Sequence, residues 1–146
     1  MRARLHEQVI RLKSEFVEPY FGVTVLPDYA GPRVLRYSAG GHYLPHVDAC
    51  TLRWVDGNEV WVKTSARDVS ILVYLNDASE FSGGQLAFPD LHVSITPQRG
   101  MAVAFPSDQR FRHCVEEITS GTRCVVAAWF TCEEGSPVGE PFQVTW

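Results

Sequence analysis

Arg123-Cys124-Val125-Val126-Ala127-Ala128-Trp129-Phe130-Thr131 is the stretch on which the fold turns. Period-two alternation places Arg123, Val125, Ala127 and Trp129 on one face of a strand, a guanidinium at one end of a wall otherwise built from small and apolar groups. Working outward, stretches rich in Val, Ile, Thr and aromatic residues recur at 22–26, 33–38, 42–48, 51–55, 59–63, 68–75, 84–88, 92–96, 101–105, 112–116 and 142–146. Turn signals separate them: Pro27-Asp28, Gly31-Pro32, Gly40-Gly41, Asp56-Gly57, Gly83-Gly84, Pro89-Asp90, Arg99-Gly100 and Ser120-Gly121. Many short strands at this spacing favour a β-sandwich, jelly roll or barrel over a parallel α/β fold. Ahead of them Leu5, Val9, Leu12 and Phe16 fall at helical spacing and Pro19 closes the stretch, which predicts one amphipathic helix over 1–20 and a β core over 21–146. No repeat or linker divides the chain, so 1–146 reads as a single domain.

Composition narrows the function. At 146 residues, 45% hydrophobic and 21% charged, the chain has the make-up of an ordinary globular domain. Thirteen Lys and Arg against seventeen Asp and Glu give a net charge of −4, and the lysines are Lys13 and Lys63, so a basic groove for nucleic acid is not expected. Cys50, Cys114, Cys124 and Cys132 form no C-x-x-C pair and read as reduced thiols. Glu7, Glu15 and Glu18 interrupt the basic residues near the start, and no run is apolar enough to cross a bilayer. The expected setting is a reducing cytoplasm, with no membrane partner.

Of five histidines, His46 alone stands two residues before an aspartate, Asp48. On a strand, residues i and i+2 share a face, so imidazole and carboxylate can converge on one ion. An H-x-D pair is weak evidence alone, and the third ligand is sought in His113, on a later expected strand. Two histidines and one carboxylate leave three positions open on an octahedral ferrous ion, enough for a co-substrate and dioxygen together. His42 and His92, beside turn signals, read as surface or supporting residues, and His6 as a helix-surface residue. Arg123, at the back of an apolar wall, suits the far end of a dicarboxylate, for which a guanidinium offers a planar two-pronged donor.

The string Tyr37-Ser38-Ala39-Gly40-Gly41-His42-Tyr43-Leu44-Pro45-His46-Val47-Asp48 resembles the Y-x-x-G-G-x-Y-x-P-H-x-D motif of the prolyl 4-hydroxylase group of iron(II)/2-oxoglutarate-dependent dioxygenases. Val73-Tyr74-Leu75-Asn76, Gly83-Gly84, Phe88-Pro89, Phe105-Pro106-Ser107-Asp108, His113 and Gly121-Thr122-Arg123 follow in the family's order, so the resemblance covers about residues 33–132. It implies a double-stranded β-helix, a relative of the jelly roll, with the metal inside its open end. By the same resemblance His46, Asp48 and His113 would be the iron ligands. Arg123 would pair with the distal carboxylate of 2-oxoglutarate, Tyr74 would donate a hydrogen bond to it, and Tyr37 would line that pocket. Fe(II), 2-oxoglutarate and O2 are the implied cofactor and co-substrates, with ascorbate as an accessory reductant.

The implied substrate is a prolyl residue in a protein or peptide, with Tyr43, Trp54, Trp61 and Trp129 as substrate contacts. Arg123 stands where collagen-type members carry lysine, and Asp48-Ala49-Cys50-Thr51 resembles the lysyl hydroxylases, so a lysyl residue, a free amino acid or a small molecule is the alternative. A metal-binding jelly roll that has lost catalysis is a further one, whereas a Ser-His-Asp hydrolase lacks its nucleophile motif. The segment Leu52 to Val62 folds about Asp56-Gly57 as a hairpin with Trp54 and Trp61 on its arms, either a lid over the site or an aromatic pair packed back on the sheet. The helical part is shorter than is usual in the family, so a second subunit is expected to cover part of the sheet, as in a homodimer.

Overall fold

The structure, a computed structural model, describes residues 2–145; Met1 and Trp146, at the ends of the expected helix and last strand, lie outside the described residues. The chain opens with α1 (Arg2–Leu12), a π-helical turn (Lys13–Val17) and α2 (Glu18–Phe21). Pro19 does not close this helical stretch. It stands in the first turn of α2, where a missing N–H is tolerated, and the stop is Gly22 at φ 63°, a left-handed cap.

Strands follow as β1 (Val25–Ser38), β2 (Tyr43–His46), β3 (Cys50–Val55), β4 (Asn58–Lys63), β5 (Val69–Tyr74) and β6 (Phe81–Gly83), then β7 (Leu86–Phe88), β8 (Val93–Ile95), β9 (Met101–Pro106), β10 (His113–Val115), β11 (Ile118–Cys132) and β12 (Phe142–Thr145). They form an antiparallel major sheet in the order β1-β11-β5-β9-β12, with β6 also on β11, a minor sheet β2-β10-β7-β8, and a separate hairpin β3-β4. This is the expected mainly β jelly roll with an N-terminal helix.

Alternation along β11 creates the layers. Val126, Ala128, Phe130 and Cys132 bury themselves with Val9, Leu12, Val17 and Phe21 of the helical segment and with Ile71, Ala102 and Ala104 of the neighbouring strands. Val125 on the other face joins Tyr74, Leu86, Phe88, Val103, Phe105 and Phe111 in a second core between the two sheets. The helix thus backs the major sheet and frees its inner face for a site.

Three of the turn-signal pairs lie inside strands instead. β1 runs through both Pro27-Asp28 and Gly31-Pro32, with register shifts between Val25 and Tyr29 and between Ala30 and Arg33. It is an edge strand of the major sheet, where prolines and bulges are tolerated because one row of backbone groups needs no partner. A Cβ at Gly31 would lie 2.8 Å from the Ala127 carbonyl oxygen, so the glycine permits the close approach to β11. Ser120-Gly121 lies within β11, where Gly121 at φ 76° lets β6 come so near that a Cβ would stand 2.2 Å from the Glu80 carbonyl oxygen.

Candidate active site

β2 and β10 pair antiparallel with His46 opposite His113, which sets the two imidazoles side by side with ring centroids 4.3 Å apart. Asp48 does not reach them by strand alternation. β2 ends at His46, and Asp48 sits in the bend that leads to β3. The buried Ala49 pins that bend: its N–H donates to the Ser107 carbonyl at 2.9 Å and its own carbonyl accepts from the Thr64 N–H at 2.8 Å. As a result His46 Nε2 lies 3.3 Å from Asp48 Oδ1 and His113 Nε2 lies 3.8 Å from Asp48 Oδ2, with one candidate ligand atom from each residue within 4.8 Å of the others.

Each imidazole is turned by its Nδ1, which lies 2.9 Å from a carbonyl two residues back, Leu44 for His46 and Phe111 for His113. A proton held at Nδ1 by that carbonyl leaves the Nε2 lone pair for a cation. Asp48 Oδ2 accepts from Ser70 Oγ at 2.6 Å and from Trp129 Nε1 at 2.9 Å, and Ser70 is linked in turn to Ser107 Oγ at 2.7 Å. Oδ1 is therefore the oxygen left to face a metal.

Burial alone would raise the Asp48 carboxyl. Its hydrogen bond with His46, the electrostatic influence of His113 and the Ser70 and Trp129 donors outweigh burial and hold it well below the usual carboxylate range. Burial pushes His113 down, whereas bonding to Asp48 overcomes the same effect at His46 and raises it. Asp48 is thus anionic at neutral pH and His113 neutral, the forms in which these two bind a divalent ion, whereas His46 must give up the proton that Asp48 favours before it can do so.

The three residues open onto a cavity of about 440 Å³. At its inner end Arg123 is 1% exposed, with its guanidinium 5.1 Å from the ring centres of both Tyr37 and Tyr74. Its Nη2 donates to Tyr74 Oη at 3.4 Å, while Nε and Nη1 are buried and find no hydrogen-bond partner among the described residues. Asn76 fixes the strand on either side of it, donating to the Thr122 carbonyl at 2.6 Å and accepting from the Cys124 N–H at 3.0 Å. Burial raises the Tyr37 and Tyr74 phenols, with Arg123 opposing, so both hydroxyls keep their protons at neutral pH.

These groups fit the two partners that the sequence implies. Two imidazoles and one monodentate carboxylate on one side of an open cavity are the donor set of a non-haem ferrous ion. Unpartnered buried N–H groups on a cation are costly, and an anionic oxygen entering the cavity would satisfy them. The far carboxylate of 2-oxoglutarate is such a group.

The other candidates fall in different places. Tyr43 lines the cavity with its ring 4.4 Å from that of His46. Trp129 also lines the cavity, yet its indole N–H is committed to Asp48. Trp54 and Trp61 share one face of the β3-β4 hairpin with Leu52, expose 72% and 40% of their surface, and do not line the cavity. His6 contacts Tyr29 Oη through Nδ1 at 2.5 Å, and His42 lies against the Gly40 carbonyl. Ser107 stands in the Phe105-Pro106-Ser107-Asp108 string, whereas Ser70, Arg33 and Arg67 belong to the site without any signal in the sequence, because only the fold brings them to Asp48 and Trp129.

A His-Asp-His cluster beside a buried, unsatisfied arginine in the mouth of a jelly roll defines a mononuclear iron oxygenase. The chain belongs to the 2OG-Fe(II) oxygenase superfamily, which residues 32–131 match. It is 38% identical over 96 residues to prolyl 3-hydroxylase 2 of Homo sapiens, a match covering 60% of this chain and 13% of that protein. It is 34% identical over 115 residues to a PKHD-type hydroxylase of Hyphomonas neptunium, covering 76% of this chain and 48% of the relative. The chain therefore spans a small part of the first and about half of the second. The viral collagen prolyl hydroxylase of Paramecium bursaria Chlorella virus-1, solved with 2OG, superposes with a TM-score of 0.65 at 19% identity over 87% of this chain and 71% of the other, and so shares the fold.

Proposed function

We propose that this dioxygenase hydroxylates prolyl residues in a protein or peptide. The observation that carries the chemistry is the buried Arg123 with two unpartnered donors in the same cavity as the His-Asp-His cluster. Support for proline comes from the relatives, a prolyl 3-hydroxylase in sequence and a collagen prolyl hydroxylase in fold.

His46, Asp48 and His113 would hold the iron, and Arg123, Tyr74 and Tyr37 the distal carboxylate of 2-oxoglutarate. An iron ion held there with 2-oxoglutarate would supply the O2 chemistry, in which one oxygen atom would enter the substrate C–H bond and the other the succinate formed with carbon dioxide. The protein's own part is placement. Ser70 and Trp129 keep Asp48 turned so that one oxygen faces the histidines. Leu35, Leu72, Leu86, Val115 and Val125 line the cavity between that cluster and Arg123 and keep bulk water from the reacting atoms. Tyr43 and Trp129 flank the substrate's approach, and the exposed Trp54 and Trp61 supply apolar area to a bound peptide. No side chain needs to act as general acid or base.

The test is a panel of proline- and lysine-containing peptides incubated with the iron-loaded protein, 2-oxoglutarate and O2. The expected result is a mass gain of one oxygen on a prolyl residue, matched one-to-one by succinate. Oxygen gained on lysine alone, or succinate that no proline peptide stimulates, would overturn the assignment.

A further inference from the structure

Arg33 of β1 and Arg67, just before β5, line the same cavity at the end away from Arg123. Both stack on Trp129, the guanidinium of Arg67 at 4.2 Å and that of Arg33 at 5.5 Å from the ring centre. Arg67 also donates to the Asp48 backbone carbonyl at 3.3 Å. Elsewhere on the surface Arg99, Arg110 and Arg112 each grip a carboxylate at 2.6–2.7 Å. Arg33 and Arg67 have no ion-pair partner among the described residues, and Asp48 is the one carboxylate of the cavity lining.

On the reading above, the charges of the loaded site can be matched. Arg123 is answered by the distal carboxylate of 2-oxoglutarate, and the iron by Asp48 and the chelating carboxylate. Arg33 and Arg67 then remain without a counter-ion, in a chain whose net charge is −4. Arg33 pairs with Ala127, four residues along β11 from Arg123, or about 13 Å at strand rise, so the two arginine sites address different molecules. Two cations that line one cavity and stack on one indole beside the metal cluster are placed to receive an anion from the molecule being oxidised.

We infer that the substrate carries a carboxylate that docks on Arg33 and Arg67 next to the reacting C–H. This inference rests on the hydroxylase reading. An acidic side chain neighbouring the target proline in a peptide, or the α-carboxylate of a free or C-terminal amino acid, would present the same group. Docking it there fixes the register of the substrate over the cluster.

The experiment uses the iron-loaded protein and capped peptides with one central proline, carrying Asp at each of the two positions before and after it in turn, each paired with its Asn counterpart. Free L-proline paired with L-prolinamide tests the other source. Expected is a preference in kcat/KM of about five- to tenfold for the carboxylate of one pair at low salt, shrinking as ionic strength rises. Arg33→Gln should bring that ratio toward one, and Arg33→Glu should reverse it in favour of Lys at the same position. The ratio is internal to each variant, so a general loss of activity does not imitate the result. The same ratio should appear in peptide affinity measured calorimetrically with Mn(II) in place of iron, which tests the carboxylate even if no proline compound is oxidised. Equal turnover and equal affinity within every pair, or a preference that survives Arg33→Gln, would overturn the inference while leaving prolyl hydroxylation standing.

Discussion

Replacing Arg123 by methionine keeps an apolar stem of similar length and removes the charge at the inner end of the cavity. Two opposite consequences follow. Without its guanidinium, the distal carboxylate of 2-oxoglutarate loses a buried charged partner, a change worth about 2–5 kcal/mol, or roughly 30-fold or more in affinity. In the absence of 2-oxoglutarate the same replacement relieves a cost. Nε and Nη1 are buried with no partner among the described residues, each unmet donor being worth about 1–3 kcal/mol, and the bond that is lost, to Tyr74 Oη, is long at 3.4 Å. Arg123→Met should therefore stabilise the 2-oxoglutarate-free protein by about 1 kcal/mol or more, near 4 °C in Tm for a domain of this size. The assay is thermal unfolding with saturating Mn(II), with and without 2-oxoglutarate. The natural chain should gain about 2.7 kcal/mol at a concentration 100 times Kd, and the variant less than about 0.9 kcal/mol at the same concentration. A variant less stable than the natural chain without 2-oxoglutarate, or one that retains the ligand-induced shift, would show that Arg123 is a structural residue and that the pocket lies elsewhere.

Trp129→Phe preserves an aromatic surface for Arg33 and Arg67 but removes the N–H that holds Asp48 Oδ2, so metal affinity measured by titration should fall about 10-fold or more; unchanged affinity would refute the positioning role. Truncating Trp54 and Trp61 together to alanine should shift stability by no more than about 0.5 kcal/mol, because both side chains are substantially exposed, while peptide affinity weakens and 2-oxoglutarate affinity holds. A drop of many degrees in Tm with unchanged peptide affinity would instead mean that they pack against the body of the protein. Asp108 is held below the usual carboxylate range, because its bonds to Arg110 and Ser136 outweigh the opposing effect of burial. A lowered folded value means that its contribution is present above the unfolded pKa, near 4, and is lost as pH falls through the folded value. Asp108→Asn should thus cost about 1 kcal/mol at pH 7 and progressively less below pH 4, and a cost independent of pH would remove the ionic explanation.

The fold was legible where local chemistry and tertiary packing agree. β11 alternates because one face meets the helix and the other the cavity, and the same alternation put Arg123, Val125, Ala127 and Trp129 on the cavity side. Proline and glycine misled where they serve close approach at a sheet edge or between strands, as at Gly31-Pro32 and Gly121. Strand spacing alone does not assemble the metal cluster, since Asp48 converges on the histidines from a bend that Ala49 and Ser107 fix and not from a strand. The second role of Trp129, the Ser70-Ser107 pair and the unpaired Arg33 and Arg67 were beyond reading, because each depends on partners more than twenty residues away in the chain.

The central claim is that His46, Asp48 and His113 hold the iron on which 2-oxoglutarate is consumed. Asp48→Ala removes the cluster's only anionic ligand, and the most direct measurement is succinate released per folded molecule by this variant and by the natural chain at matched Fe(II), 2-oxoglutarate and O2. The account predicts release by the natural chain and none above the iron-free background for Asp48→Ala, with circular dichroism showing the sheet intact. Release by the folded variant at the rate of the natural chain would contradict it.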